Sequence, residues 1–183
     1  MYTDLIKQIA SVKGKIKVYR LIEILAEEDI DLAWLIDLTF HSDNNLSFKA
    51  AWLLENMYLK YPESFVPHIS YILSRLKEVK NPSCKRHYAK ILMYITSPKA
   101  PKAIKEKLKD SDLEPAIEQC FDWLIDPEVL VAVKAFASEA LFNMRRSHPW
   151  ITEELTRQLE FMMRNGSTAI QTKGKHLLSA LNR

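Results

Sequence analysis

The four-residue element Trp34-Leu35-Ile36-Asp37 returns as Trp123-Leu124-Ile125-Asp126, 89 residues further on. Other matches follow in the same order. Asn56-Met57 with Pro62 returns as Asn143-Met144 with Pro149, and Ala50 and Leu54 return as Ala137 and Leu141, all at an offset of 87. Asn81 and Ser83 recur as Asn165 and Ser167 at 84, and Ile91-Leu92 and Ile95 as Leu177-Leu178 and Leu181 at 86. Ordered anchors with a small drift are what a tandem duplication with loop insertions leaves behind. The two blocks run over about 31–97 and 119–183 of a single domain, 1–183. A unit of roughly 87 residues holds about four helices, or two helical hairpins of ~43 residues each. That period predicts an all-α solenoid, an α-α superhelix of about four hairpins.

Local signals favour helix throughout. The chain has three glycines, far fewer than β-rich or Rossmann-like folds need for their turns. Asp126-Pro127-Glu128 reads as an N-cap, a proline at N1 and an acid in the first turn. Asn165-Gly166 reads as a helix stop, with Ser167 placed to cap the next helix. Tyr61-Pro62, Ser97-Pro98 and His148-Pro149 mark boundaries, because the residue before proline disfavours α geometry. Helices are expected at 3–12, 15–28, 31–41, 46–61, 66–79, 83–97, 102–109, 113–125, 127–146, 149–164 and 168–181. The lysine-rich piece at 102–109 is either a short helix or a loop.

Two of these helices are apolar on almost every side. One carries Phe48, Ala50, Ala51, Trp52, Leu53, Leu54, Met57 and Tyr58. The other carries Leu130, Val131, Val133, Ala135, Phe136, Ala137, Ala140, Leu141 and Phe142. Such helices must be buried on more than one side, as stacking of hairpins requires.

Asp126-Pro127-Glu128, Ala132-Val133-Lys134, Leu141-Phe142-Asn143, Pro149, Asn165-Gly166-Ser167 and Lys173-Gly174-Lys175 together resemble small HEAT/armadillo-like helical-repeat proteins of Bacteroidetes. The resemblance is best over 113–183. It implies an α-α superhelix and brings no catalytic residue with it. The helical pattern also resembles, at the level of fold alone, the HEAT-like DNA alkylation-repair glycosylases.

Little else in the sequence carries chemistry. His41, His68, His87, His148 and His176 include no i, i+4 pair and no Glu-x-x-His, so no metal site is expected and these read as surface or boundary residues. Gly14, Gly166 and Gly174 cannot build a phosphate-binding loop, and no GxSxG elbow occurs. Glu114, Glu118 and Asp122 line up at i, i+4, i+8, opposite an apolar stripe of Ile117, Cys120, Phe121, Leu124 and Ile125, so they are expected in water. That stripe makes Cys120 a core thiol. Cys84 is either structural or, beside Lys85 and Arg86, a thiol of lowered pKa. Trp34, Trp52 and Trp123 read as packing residues, and Trp150 as partly exposed. No catalytic residue and no cofactor is expected.

Net charge is only +3, but it is unevenly spread. Residues 1–44 carry 5 basic and 8 acidic groups, 45–110 carry 13 and 5, and 111–183 carry 8 and 10. Lys85, Arg86 and Lys90 share one helix, and Lys173 and Lys175 lie on its counterpart. Equivalent helices share a surface in a solenoid, so these five either form one basic binding stripe or simply solvate helix faces. The sequence therefore points to a non-enzymatic protein- or peptide-interaction scaffold. The alternative is a nucleic-acid-binding repeat protein using the basic stripe, and a third reading is an alkylation-repair-type enzyme with an exposed tryptophan beside an aspartate and an arginine. No secretory leader, no membrane span and no CxxC spacing is visible, which leads us to expect a cytoplasmic protein. The oligomeric state stays open.

Overall fold

Three helices begin where a side chain accepts from their free N–H groups. The structure, a computed structural model, describes residues 2–28 and 30–182; Met1, Asp29 and Arg183 of the expected 1–183 domain lie outside the described residues. The first five helices are α1 (Tyr2–Ser11), α2 (Lys15–Glu27), α3 (Leu32–Leu38), α4 (Asn44–Lys60) and α5 (Ile69–Ser74). The remaining six are α6 (Pro82–Ile95), α7 (Lys102–Lys109), α8 (Glu114–Ile125), α9 (Val131–Met144), α10 (Ile151–Arg164) and α11 (Thr168–Leu181). The Asp31 carboxylate accepts from Ala33 N at 2.8 Å, and that of Asp43 from Asn45 N at 2.8 Å and Leu46 N at 3.1 Å. Asn81 accepts from Ser83 N at 3.0 Å, and its amide donates to Asn44 O and Ser47 Oγ, both at 3.0 Å. One side chain thus caps α6 and ties its start to the start of α4.

Boundaries shift by one to three residues at several helices, α3 ending at Leu38 among them, and two segments differ more for local reasons. The 66–79 segment is not one helix. A 3-10 turn spans Pro62–His68, α5 follows, and a second 3-10 turn spans Leu76–Glu78. Pro67 has no N–H to donate to an α-type bond, so the first stretch tightens. The helix expected from 127 starts at Val131, with Leu130 at its N-cap position. Asp126 caps a turn instead: its carboxylate accepts from Glu128 N at 2.9 Å while its carbonyl accepts from Val129 N at 3.3 Å. That turn places Val129 in the core. Ser167 occupies the N-cap position of α11 but makes no side-chain cap bond. Gly166 is needed where it stands, since a Cβ there would meet the Met162 carbonyl oxygen at 2.5 Å.

The helices form two layers. In one, α4 packs on α6, α6 on α9, and α9 on α11. In the other, α3, the Pro62–His68 turn, α5 and α8 follow one another, and α10 covers α9 and α11. The hairpins α3–α4, α5–α6, α8–α9 and α10–α11 build an α-α superhelix, with α1 and α2 laid on α4 at the N-terminal end. α7 stands outside this alternation and packs on the Pro62–His68 turn. Among the described residues there is no strand, and no helix is long and apolar enough to cross a membrane.

The core runs the length of the stack. α4 contributes Leu46, Ala50, Ala51, Leu53, Leu54, Met57 and Tyr58; α9 contributes Val133, Ala137, Ala140, Leu141 and Met144. Trp123 is 2% exposed, whereas Phe161 is 67% exposed. Trp123→Ala should therefore cost about 3–5 kcal/mol in chemical denaturation. Phe161→Ala should stay within about 0.5 kcal/mol of the parent.

Candidate functional site

One acid interrupts the apolar surface of α4, and it organises the most polar place in the helix layer. Glu55 lies at the α4–α6 contact with its side chain 7% exposed. Its carboxylate takes His87 Nδ1 at 2.6 Å and Lys90 Nζ at 2.5 Å, both from α6. Burial pushes the Glu55 carboxyl up, but the hydrogen bonds and charges of His87 and Lys90 outweigh it and hold the group below its ordinary value. Burial acts downward on Lys90, and its bond to Glu55 more than offsets this, leaving the ammonium above its usual range.

Aromatic rings surround the cluster. Phe48 stands one turn before Trp52 on α4, their ring centres 6.2 Å apart, and 5.6 Å from the His87 ring. The Lys90 ammonium sits 5.7 Å from the centre of Tyr94 on α6 and 5.9 Å from that of Phe136 on α9. Phe48, Trp52, Tyr94 and Phe136 are all half-buried, so their edges form the open side of the layer. Trp52 is thus not sealed in the core as its sequence context suggests. Trp34 is half-buried as well, Trp150 is exposed, and of the three expected packing tryptophans Trp123 alone is fully covered.

The five cations read from the sequence divide among three settings. Lys90 is bound to Glu55. Lys173 is bound to Glu139 of α9. Lys85 lies five residues from Lys90, about 140° round the helix, and lines a recess of about 300 Å³ with Lys77, Lys80, Asp122 and Asp126. Arg86 and Lys175 are exposed. With Lys60 on Glu23 at 2.8 Å, ion pairs link α2 to α4, α4 to α6, and α9 to α11.

Other expectations resolve similarly. Glu114, Glu118 and Asp122 are exposed, and Glu118 pairs with Lys77 at 2.7 Å. Ile125 leaves the apolar stripe of α8 and is exposed. Cys84 and Cys120 are both buried free thiols. Burial pushes Cys84 up to about 11, with a bond involving Ser47 opposing, so Lys85 and Arg86 do not activate it. Burial pushes Cys120 up as well. His87 is not a surface histidine; it is buried on Glu55. Among the described residues no group of His, Cys, Asp and Glu is arranged to hold a metal ion. An aspartate–arginine pair does occur: Asp37 binds Arg75, which also holds Glu78 at 2.7 Å and the Tyr71 hydroxyl at 2.7 Å. Asp37 is exposed and shares α3 with half-buried Trp34, so this pair belongs to the α3–α5 layer, whereas Trp52 belongs to α4.

The sequence model of the HEAT repeat domain matches residues 5–181. The chain belongs to the HEAT repeat domain family. No curated protein and no solved structure matches it. HEAT repeat proteins are in general protein-interaction scaffolds and in general not enzymes, and the paired helix layers described above have the form such scaffolds take.

The buried carboxylate makes an acid-side prediction. Because Glu55 is held below its unfolded value, its contribution is present above that value and lost as pH falls through the folded one. Urea denaturation between pH 7 and pH 3 should show stability falling with acid in the parent. Glu55→Gln should remove part of that slope and lower stability at pH 7 by about 2–3 kcal/mol, since the amide keeps only one acceptor oxygen for His87 and Lys90 and no charge to pair with the ammonium.

Proposed function

We propose that this HEAT repeat protein is a non-enzymatic scaffold that binds a protein or peptide on the open face of α4, α6 and α9. The observation that carries the reading is the arc of half-buried Phe48, Trp52, Tyr94 and Phe136 around Lys90. Aromatic side chains are the ones that supply most energy at protein interfaces, and rings already held by packing lose little entropy on binding. The Glu55–His87–Lys90 cluster fixes the floor beneath them. Nothing in this reading requires a cofactor. The two buried free thiols suit a reducing, cytoplasmic compartment. The same reading treats 31–97 and 119–183 as copies of one block: α3–α4 and α8–α9 are equivalent hairpins, each presenting its apolar second helix to the shared layer.

The test is capture with the whole chain as bait, followed by cross-linking and identification. The parent is expected to retain a partner whose contacts map to this face. Trp52→Ala combined with Phe136→Ala should weaken capture at least tenfold, or roughly 1.4 kcal/mol. Robust turnover of a small molecule with no retained partner counts against the scaffold.

The nucleic-acid reading rests on Lys85, Arg86, Lys90, Lys173 and Lys175, of which Lys90 and Lys173 are already paired with carboxylates. Three cations remain for phosphate. Duplex binding through them should fall with salt at a log–log slope of about −2.7, at 0.9 per phosphate contact. Binding that ignores salt removes this alternative.

A further inference from the structure

α7 interrupts the regular alternation of helices, lying between the two repeat blocks, and its placement creates a pocket the repeat alone does not have. The pocket encloses about 340 Å³ between α7, the C-terminal end of α6 and the turn from α9 into α10. Its floor is apolar: Ile95, Leu108, Leu113 and Met144. Its rim carries three cations, Lys105 and Lys109 from α7 and Arg146 from the α9–α10 turn, with the His148 ring beside them. No carboxylate lines it. One rim residue reaches an acid: His148 Nε2 lies 3.9 Å from Glu114 Oε1.

Two rim cations have nothing to neutralise them. Neither Arg146 nor Lys109 makes a hydrogen bond or ion pair among the described residues. Lys105 reaches only the Pro98 carbonyl, at 3.4 Å. This sets the pocket apart from the α4–α6–α9 face, where Lys90 is bound to a buried carboxylate. Arg145, next to Arg146, is held below its ordinary value by burial and then by that like charge. The hydroxyls of Thr96, Ser111 and Ser147 donate to carbonyls of their own helices, which leaves the Ser97 hydroxyl, an acceptor from Lys99 N at 3.1 Å, and the rim cations as donors toward an occupant.

We propose that this pocket binds a small amphiphilic acid: an apolar body seated on Leu108 and Met144, with a carboxylate, sulfonate or phosphate head held by Lys105, Lys109 and Arg146. The volume falls in the range of small-ligand sites, and such sites join apolar walls to a few convergent polar groups. An apolar body gains by leaving water, while the head meets a local excess of positive charge. The site is separate from the proposed partner face, and the two succeed or fail independently.

The probe is anilinonaphthalene sulfonate, with phenylnaphthylamine as its counterpart lacking the charge. The parent protein is expected to bind one sulfonate dye per chain and the neutral dye at least tenfold more weakly. Lys105→Glu with Arg146→Glu should weaken the sulfonate dye at least tenfold and leave the thermal unfolding midpoint in place, since neither residue is buried. Octanoate should displace the dye competitively. Trp52→Ala with Phe136→Ala should leave dye binding unchanged. Equal binding of the neutral dye, or an unaffected charge-reversed variant, overturns the proposal. So does displacement by an acidic phenylalanine-containing tetrapeptide where octanoate has no effect, which would assign the pocket to a peptide segment instead.

Discussion

Two helices, α4 and α9, carry apolar side chains on nearly every side, and the rest of the molecule is arranged to cover them. A helix with one apolar stripe needs a single neighbour. α4 has α1, α2, α3, α6 and the Pro62–His68 turn against it, and α9 has α6, α8, α10 and α11. That demand explains why α6, amphipathic and between the two, packs on both. It also explains the layering. Each hairpin places its second helix in the shared layer and leaves its first to shield it, so burial is continuous along the stack although each hairpin touches only its neighbours.

Polar groups inside such a layer are tolerated only when their partners come with them. Among the described residues, every buried side-chain nitrogen and oxygen has a hydrogen-bond partner. Thr39 Oγ1 meets Tyr88 Oη at 2.6 Å, and Asn143 of α9 donates to Met93 O and Thr96 Oγ1 of α6, both at 3.3 Å. Glu55 takes two partners, His87 and Lys90. These contacts cross between helices and demand one alignment, so they fix the register with which successive helices stack, which apolar contacts alone leave loose. The ion pair Glu23–Lys60 adds little to stability, because both partners are well exposed and water screens them. Glu55 differs because solvent does not reach it.

The fold was legible in the sequence because burial and helix periodicity are local statements. The eleven expected helices correspond to α1–α11, with the 66–79 segment broken into α5 and two flanking 3-10 turns. The misses concern competition between local signals. Asp126-Pro127-Glu128 has the composition of a helix start, yet Asp126 closes a turn first because Val129 gains by turning into the core. Repeated residues also took different work. Asp37 binds Tyr71 and Arg75, whereas Asp126 serves its turn. Asn56 donates to Trp52 O within its own helix at 2.8 Å, whereas Asn143 bridges α9 and α6. Like residues sit at like positions in the stack, but a side chain's partner depends on the neighbouring helix, whose residues differ. The site was less legible for the same reason. Glu55, the lone acid within the apolar run of α4, was the available signal, and a lone acid does not reveal which cations a different helix will bring.

The fate of the basic residues follows from that geometry. A lysine count along the sequence treats every ammonium as available. Folding sorts them: Lys90 and Lys173 face acids on the preceding helix of the layer and are consumed in holding it together. Others find no acid: among the described residues Arg86 of α6, Lys175 of α11, Lys109 of α7 and Arg146 of the α9–α10 turn make no ion pair and are exposed. Lys105, Lys109 and Arg146 meet around one pocket with an apolar floor, whereas Lys85, Arg86 and Lys175 are spread over α6 and α11. A partner reading the regular face would meet rings before charge, and an anion would find its strongest attraction at the interruption.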